Sequence, residues 1–275
     1  MDKRRLASNG RIAALDLKGM VEADSYRAGH RAQICLGVED LCAEPDGMRD
    51  RQLLYGDEVS VYETLENHSF VQSQKDGYVG YVLNYALQHI TLPATHQVVA
   101  PLCHVHQEPD IKSKNLMQLT MGAKIHLSDE TDTFINIREG WIHKSAIAHN
   151  RECLQDPVNV ASRLIGAPYL WGGNTALGID CSGLVQLSCH LCGLNCPGDS
   201  DMQFDEFGSP LKADVPLKRG DLVFWKGHVA LVSSSDTLIH ANAHFMATVE
   251  EELKATFDRI RATGGGEPIG TRRIL

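Results

Sequence analysis

One cysteine stands where its thiol could act as a nucleophile. Cys181 opens segment 181–194, in which apolar residues recur at helical spacing, with Asp180 as the predicted N-cap and Gly193 as the stop. A thiol is a nucleophile only as a thiolate, and a helix N-terminus with a nearby imidazolium lowers its pKa from about 8.5 into or below the neutral range. The sequence therefore predicts an activated thiol at Cys181.

Two histidines could supply the imidazole. Segments 221–234 and 237–243 are predicted to be strands joined by a Ser-Ser-Ser-Asp turn. A hairpin symmetric about residue 234 would place His228 and His240 directly opposite each other on one face, with Cβ atoms about 4.5–5.5 Å apart. One imidazole could then act as the base for the thiol while the other orients it. The residues alone leave a second interpretation open, in which a thiol at a helix start and two strand histidines are unrelated.

The elements around these residues indicate an α+β domain over residues 150–275. Val158, Ala161 and Leu164 fall at helical spacing, and the glycine and proline that follow end this first helix. The helix that starts at Cys181 comes next, and the strands come last. Helices followed by a meander of strands form an α+β arrangement.

An internal repeat occupies the first half of the chain. Glu44-Pro45-Asp46 recurs as Glu108-Pro109-Asp110, and Gly80-Tyr81-Val82 recurs as Gly140-Trp141-Ile142. Both units contain short β-branched segments separated by Gly, Asp and Asn turns. This pattern is typical of a small antiparallel barrel and not of a helical repeat.

We therefore predict two small all-β barrels, at residues 28–88 and 95–149, after an N-terminal extension at residues 1–27. The first unit is longer than the second just before its Gly-aromatic-aliphatic ending. The additional residues predict a longer hairpin that presents Lys75-Asp76-Gly77-Tyr78. Tyr78 is thus predicted at the tip of a hairpin, a position where tyrosine is exposed or packs locally.

Composition restricts the classes of partner and the compartment. The 275 residues carry 26 Lys plus Arg against 35 Asp plus Glu, a formal charge of -9, and have no basic stripe, which argues against nucleic acid. No apolar run approaches the ~20 residues of a membrane helix, and the N-terminal basic cluster has no apolar region of a signal peptide behind it. We expect a cytoplasmic protein without a membrane partner, whose eight cysteines are mostly reduced thiols.

Two segments closely resemble the catalytic domain of the NlpC/P60 family of cell-wall cysteine peptidases, which is papain-like. They are GAPYLWGGNTALGIDCSGLVQ at 166–186 and GDLVFWKGHVALV at 220–232, and His-Ala-Asn follows at 240–242. The Gly-aromatic-aliphatic endings of the two repeat units resemble bacterial SH3 domains. The expected architecture is therefore an α+β NlpC/P60 domain preceded by two SH3-like barrels.

The family resemblance assigns roles to four residues. It implies that Cys181 is the nucleophile, that His228 is the general base and that His240 orients His228. It also implies that Tyr169 and the backbone N–H of Cys181 stabilise the oxyanion, as donors aimed at the developing charge. No metal or organic cofactor is expected.

Two SH3 units ahead of such a domain resemble the subgroup that hydrolyses the γ-D-glutamyl–diamino acid bond of murein peptides. There the first SH3 domain narrows the cleft, so that only a substrate with a free N-terminal L-Ala fits. The resemblance implies that Asp180 and Ser182 contact the L-Ala amine and the peptide. Tyr78 is the candidate that closes the amine pocket, and Trp171 is a further candidate contact.

A second stretch implies a contact to D-Glu. Asp199-Ser200-x-x-Gln203 resembles the subgroup's Pro-Arg-Asp-Ser-x-x-Gln, whose Asp-Ser side recognises this residue. Gly198 stands where the Arg usually does. If that Arg holds the D-Glu α-carboxylate, binding in this chain is weaker or depends on another cation.

The sequence leaves three alternatives to the peptidase. Cys189, Cys192 and Cys196 with His190 could bind zinc, although buried packing thiols fit a single helix better. The same Cys-His site could serve an amidase or acyltransferase, because hydrolysis and transfer differ only in whether water or an amine resolves the thioester. The chain could also be a catalytically silent murein-binding module, but the intact Cys181 and histidine pair argue against that.

Overall fold

The computed structural model describes residues 2–90, 92–152, 154–212 and 214–274. Cys153, one of the predicted thiols, lies outside them. The chain divides into two compact units, Met1–Glu152 and Cys153–Leu275. This boundary lies close to residue 150, where the sequence pattern changes from strands to helices.

The described part of the first unit is built from short strands. They are β1 Ile12–Ala14, β2 Ser25–Arg27, β3 His30–Ile34, β4 Val38–Cys42, β5 Arg49–Leu54, β6 Glu58–Thr64, β7 His68–Ser73, β8 Val79–Leu83, β9 Leu87–Gln88, β10 His96–Val98, β11 Leu102–His106, β12 Asn115–Thr120, β13 Lys124–Ile125, β14 Asp129–Glu130, β15 Phe134–Ile137, β16 Gly140–His143 and β17 Ile147–His149. The order β5-β4-β8-β7-β6-β3-β9 forms one sheet, and β12-β11-β16-β15-β14 and β13-β10-β17 form two others.

The sequence repeat coincides with a repeat in strand pairing. Cys42 pairs with Tyr81 next to a register irregularity in β4, and His106 pairs with Trp141 next to the same irregularity in β11. The glycine before each aromatic residue is required by close packing. A Cβ at Gly80 would lie 2.7 Å from the Cys42 carbonyl oxygen, and one at Gly140 would lie 2.4 Å from that of His106.

The second unit combines helices with one larger sheet, which confirms the predicted α+β class. Its elements are α1 Pro157–Ser162, β18 Asn174–Thr175, β19 Gly178–Ile179, α2 Cys181–Leu191, α3 Ser200–Glu206, β20 Ser209–Pro210, β21 Leu222–Trp225, β22 His228–Val232, β23 Thr237–Asn242, β24 Ala247–Glu252, α4 Leu253–Ala262 and β25 Gly270–Arg273. The sheet has the order β20-β25-β21-β22-β23-β24. Helix α2 packs against β22 and β23, and α4 packs against β24.

Segment 221–234, predicted as one strand, is instead a hairpin of β21 and β22. Trp225 pairs with His228 across a two-residue turn, and Gly227 in that turn has φ +73°. This left-handed conformation is the one that tight hairpin turns require and that glycine adopts without strain. The turn places His228 at the first position of β22.

The core on one side of this sheet is apolar and holds α4 in place. Its buried members are Val223, Trp225, Ala230, Val232, Leu238 and Ile260, and Leu217, Leu253 and Phe257 pack against them. Trp225 and Phe257 meet edge to face with ring centroids 5.3 Å apart, a favoured geometry for aromatic pairs. Among the described residues, none of the helices has both the length and the apolar character needed to span a membrane.

Candidate active site

Cys181 is the first residue of α2, as the sequence predicts. The Asp180 carboxylate caps the helix, with Oδ1 2.6 Å from the Gly183 backbone N and Oδ2 2.9 Å from that of Gly172. A Cβ at Gly183 would lie 2.4 Å from the carbonyl oxygen of Gly173. The contacts of Asp180 and Gly183 therefore hold the loop at Gly172 and Gly173 against the first turn of α2. They fix the position of Cys181, which lies in that turn.

The environment of the Cys181 thiol differs from the expected one. Its side chain is buried, and burial together with the Asp180 carboxylate raises the pKa of the thiol to about 12. The backbone N–H groups of Val229 and Ser182 oppose this rise without cancelling it. The expectation of a lowered pKa is wrong for the free protein, because desolvation disfavours the thiolate more than the helix start favours it.

His228 and His240 lie together on one face of the sheet, as predicted, but not directly opposite each other. Leu231 pairs with Ile239 and Val232 with Leu238, so the hairpin is centred on residue 235 and not on 234. A shift of one residue in the hairpin centre moves the cross-strand partner of each residue by two positions, so both histidines still lie on the same face of the sheet. The two imidazoles are diagonal neighbours, with His228 Nε2 2.8 Å from His240 Nδ1 and ring centroids 5.1 Å apart.

Both histidines are held in the uncharged form. Burial, the neighbouring His240 and the Arg259 guanidinium lower the pKa of His228 from 6.5 to about 3. Burial also lowers the pKa of His240, although its hydrogen bond to Glu251 opposes the change. A neutral imidazole can accept a proton, so this pair can act as a base near neutral pH.

Two residues that the sequence analysis did not identify extend this pair. His240 Nε2 lies 2.7 Å from Glu251 Oε2, and the same oxygen lies 2.5 Å from Arg259 Nη2. Glu251 is on β24, where Val249 is the direct partner of His240. The run Glu250-Glu251-Glu252 has the composition of an exposed strand edge, and only the register of β23 with β24 shows that its middle residue faces His240.

Tyr169 lies near the thiol, as the family resemblance implies. Burial, Cys181 and Asp180 raise the pKa of its phenol to about 12, so the hydroxyl keeps its proton and can donate. The Tyr169 backbone N donates to the Met246 carbonyl oxygen at 2.9 Å, and a single β-bridge joins Tyr169 to Ile179. The loop that carries the phenol is thus tied to the strand that leads into α2.

The predicted substrate contacts in this unit lie at three places along the chain. Ser182 donates from Oγ to Asp180 Oδ1 at 2.9 Å, so these two side chains form one polar group beside the thiol. The Trp171 side chain is 70% exposed. Asp199 and Ser200 lie at the start of α3 and are partly exposed.

Gln203 connects the α3 segment to the start of α2. Its side chain is fully buried, and Nε2 donates to the carbonyl oxygens of Ser182 at 2.9 Å and Pro197 at 3.0 Å. Gln203 belongs to the stretch that resembles the family, but its residue type and position alone do not indicate this role. These two bonds hold the loop around Gly198 close to the residue that follows Cys181.

Tyr78 belongs to the first unit and does not lie at the hairpin tip. The turn covers residues 74–77, and Tyr78 follows it immediately before β8. The side chain is buried, with the Arg51 guanidinium carbon 5.8 Å from its ring centroid. The backbone carbonyl of Tyr78 accepts from Ser73 N at 2.8 Å, which closes the hairpin one residue earlier than predicted.

Two cysteines, one in α2 and one after its end, are embedded in the fold. Cys189 and Cys196 are buried, and His190 Nε2 lies 3.0 Å from the Cys196 carbonyl oxygen, so that imidazole atom contacts backbone. Leu194 N donates to the Cys189 carbonyl oxygen at 3.0 Å around Gly193, whose φ is +77°. This is the glycine helix end that the sequence predicts. Within the described residues, no group of three or more His, Cys, Asp or Glu side chains is arranged to hold a metal ion.

A buried thiol at the start of α2 and a hydrogen-bonded histidine pair on β22 and β23, the strands against which α2 packs, form an arrangement that can serve a cysteine-type peptidase. Residues 166–257 match the NlpC/P60 family, and residues 41–87 match the family described as the bacterial dipeptidyl-peptidase SH3 domain. The chain is 30% identical over 234 residues to dipeptidyl-peptidase 6 of Lysinibacillus sphaericus, covering 74% of this chain and 85% of that protein. The chain belongs to the NlpC/P60 family.

Two further comparisons agree with this assignment. The chain is 25% identical over 205 residues to a gamma-D-glutamyl-L-lysine dipeptidyl-peptidase of Bacillus cereus, covering 72% of this chain and 56% of that protein. A crystal structure of an NlpC/P60 family protein from Bacillus cereus superposes with a TM-score of 0.76 at 20% identity, over 90% of this chain and 100% of that one. At that identity the structure supports the fold alone.

Proposed function

We propose that this chain hydrolyses the γ-D-glutamyl–L-diamino acid bond of short murein peptides that begin with a free L-Ala. The match of residues 41–87 to the SH3 domain of bacterial dipeptidyl-peptidases carries the proposal, since it joins that domain to a cysteine peptidase unit. A relative that is 25% identical is named a gamma-D-glutamyl-L-lysine dipeptidyl-peptidase. A dipeptidyl-peptidase releases two residues from a free N-terminus, which fits a demand for the L-Ala amine.

The first half of the reaction would acylate Cys181. Its Sγ attacks the γ-carbonyl carbon of D-Glu while the thiol proton passes to His228, which is neutral and able to accept it. The phenol of Tyr169 and the Cys181 N–H donate to the oxyanion. The C–N bond then breaks, and His228 returns the proton to the leaving amine of the diamino acid.

The second half would release the dipeptide. Water attacks the thioester carbon, and His228 takes one of its protons. The C–S bond breaks, the γ-carboxyl group of D-Glu is formed, and the proton returns to Cys181 Sγ. His240 keeps His228 oriented throughout by the bond between Nε2 and Nδ1.

Recognition in this proposal rests on the polar residues beside the thiol. Asp180 and Ser182 contact the L-Ala amine and the peptide, and Trp171 is a further contact. Asp199 and Ser200 recognise D-Glu. Because Gly198 replaces the usual Arg, the α-carboxylate of D-Glu is expected to contribute less affinity than in relatives that retain the Arg.

A cytoplasmic site of action, and with it a role in recycling murein peptides, is part of this proposal. The free thiols of the described chain include Cys35, Cys42, Cys103, Cys181 and Cys189, a form that a reducing compartment maintains. Cell fractionation with an antibody against the chain tests the location. Recovery of the protein outside the cytoplasmic fraction would contradict this part of the proposal.

The pH dependence of activity should reflect the lowered pKa of His228. The imidazole must be neutral to accept the thiol proton, and its pKa is lowered from 6.5 to about 3. We therefore expect kcat/KM to keep its plateau as the pH falls through 6.5, with the acid limb at lower pH. Initial rates in buffers of constant ionic strength measure this profile. An acid limb centred at or above the ordinary histidine pKa would contradict the account.

The amine requirement predicts a large difference between two peptides. L-Ala-γ-D-Glu-L-Lys and its N-acetyl derivative differ only in the charge and size of the N-terminus. We expect the free peptide to be cleaved between D-Glu and Lys, and the acetylated one to lose most of its kcat/KM. Separation of the products by liquid chromatography with mass detection gives both rates.

The outcomes of this experiment separate the parts of the proposal. Equal cleavage of both peptides would retain the peptidase and discard the amine requirement. If neither of these peptides is cleaved, and the free peptide with diaminopimelate in place of lysine is not cleaved either, the proposed substrate is wrong.

A further inference from the structure

A carboxylate and a guanidinium continue the histidine pair away from the thiol. Four groups form a chain of hydrogen bonds, from His228 through His240 and Glu251 to Arg259, with donor–acceptor distances of 2.8, 2.7 and 2.5 Å. We propose that Glu251, held by Arg259, is a positioning residue that sets the tautomers of both histidines, so that Nδ1 of His228 carries the lone pair that accepts the thiol proton. The rate effects expected below rest on the proposed function, whereas the tautomers do not.

The single ring hydrogen of His240 lies on Nε2. Burial alone would raise the pKa of Glu251, but its hydrogen bonds to Arg259 and His240 outweigh burial and hold it below the usual range. Glu251 is therefore an ionised carboxylate, which only accepts hydrogen bonds. The His240 Nε2 that faces it at 2.7 Å must carry the hydrogen.

The tautomer of His240 determines the tautomer of His228. Burial lowers the pKa of His240, so its ring is neutral and has one N–H, which Glu251 has already placed on Nε2. Nδ1 of His240 is then an acceptor, and the His228 Nε2 that lies 2.8 Å away must donate to it. A neutral His228 with its hydrogen on Nε2 has its lone pair on Nδ1. That nitrogen is the only ring position left to take a proton from a thiol.

Arg259 determines where Glu251 can point. Its Nη2 lies 2.5 Å from Oε2 and its Nε lies 3.3 Å from Oε1, so both carboxylate oxygens are engaged. The guanidinium carbon is 5.4 Å from the Phe245 ring centroid, and the side chains of Arg259 and Glu251 are 19% and 15% exposed. A two-point contact between partly buried groups fixes the carboxylate plane more firmly than a single bond would.

A purely structural ion pair would not need this arrangement. In the observed geometry one oxygen, Glu251 Oε2, accepts from both Arg259 and His240. The arginine therefore orients the same atom that selects the His240 tautomer. The proton of the reaction never reaches Glu251: it moves from Cys181 to His228 and then to the leaving amine.

The test compares Glu251→Ala with Glu252→Ala. Glu252 is the next residue on β24, is exposed and has its side chain on the other face of the strand, so its removal changes the charge equally. We expect Glu251→Ala to lower kcat roughly 10- to 100-fold with little change in KM, since loss of a group that directly orients a catalytic histidine costs about 10⁴. Glu251→Gln keeps an acceptor oxygen and should recover much of this loss, and Glu252→Ala should match the wild type.

A spectroscopic measurement makes the proposal independent of the substrate. Long-range ¹H–¹⁵N correlation of the imidazoles in the full chain should show His228 and His240 protonated at Nε2 in the wild type and in Glu252→Ala. In Glu251→Ala the His228 hydrogen should be redistributed to Nδ1. If Glu251→Ala does not fold, Glu251→Met, which fills similar space without an acceptor oxygen, should show the same redistribution relative to the wild type.

Two results would overturn the proposal. One is an unchanged His228 tautomer in a folded Glu251→Ala protein. The other is a kcat that falls no further in Glu251→Ala than in Glu252→Ala. If the wild type does not cleave the peptide but its histidines show the expected tautomers, the proposed substrate fails and this proposal stands.

Discussion

Replacing Cys181 by alanine is expected to abolish turnover, with a fall in kcat of about 10⁶-fold, the scale set by removing a covalent nucleophile in other hydrolases. The change deletes one sulfur atom at the first position of α2 and leaves the Asp180 cap in place. KM should change little, because the groups proposed to bind the peptide are untouched. Steady-state rates measured by product chromatography, at high enzyme concentration for the variant, test this.

Cys189→Ala is the matched control for that substitution. Cys189 lies on the same helix and is also buried, so both variants lose a buried thiol and both should lose some thermal stability. The control should retain wild-type kcat. Equal activity in the wild type and Cys181→Ala would remove the covalent mechanism, and an equal loss in both variants would show that the effect comes from folding.

Replacing His228 by alanine has the second largest expected effect. The neutral imidazole is proposed to move a proton in both halves of the reaction, and loss of a general base costs about 10²–10⁴-fold in rate. The loss should fall on kcat, because His228 is not assigned to binding. Cys181 should also react more slowly with iodoacetamide, because its pKa is raised and the variant has no imidazole to take the thiol proton.

His244→Ala provides the comparison for His228. His244 is exposed and packs edge to face on Phe245, with ring centroids 4.7 Å apart. Its removal should leave kcat and alkylation unchanged. A His228→Ala protein that is folded, judged by circular dichroism, and still turns over within about tenfold of the wild type would exclude general base catalysis by this residue.

The parts of the site that the sequence predicted are those controlled by local pattern. The Asp180 cap, the helix start at Cys181 and the glycine that ends α2 follow from short-range backbone requirements. The prediction that His228 and His240 share a face is correct although the predicted hairpin centre is wrong by one residue. That error moves each residue's partner by two positions, and strand faces alternate with a period of two.

The parts that the sequence did not predict depend on burial and on longer-range register. The rise in the Cys181 pKa comes mainly from burial of the thiol, which the spacing of residues in the sequence does not indicate. Glu251 contacts His240 only through the register of β23 with β24, and Arg259 reaches Glu251 from the following helix. The Lys226–Gly227 turn carried a usable signal, since a glycine in a two-residue loop between apolar segments is typical of a hairpin.

The most direct test of the central claim is hydrolysis of L-Ala-γ-D-Glu-L-Lys in ¹⁸O-labelled water, followed by mass spectrometry of the products. The account predicts that the wild type releases free lysine and L-Ala-D-Glu with one ¹⁸O atom in the new γ-carboxyl group, and that Cys181→Ala releases neither. Cleavage between L-Ala and D-Glu, product without the label, or equal release by Cys181→Ala would contradict a cysteine peptidase that hydrolyses the γ-D-glutamyl bond.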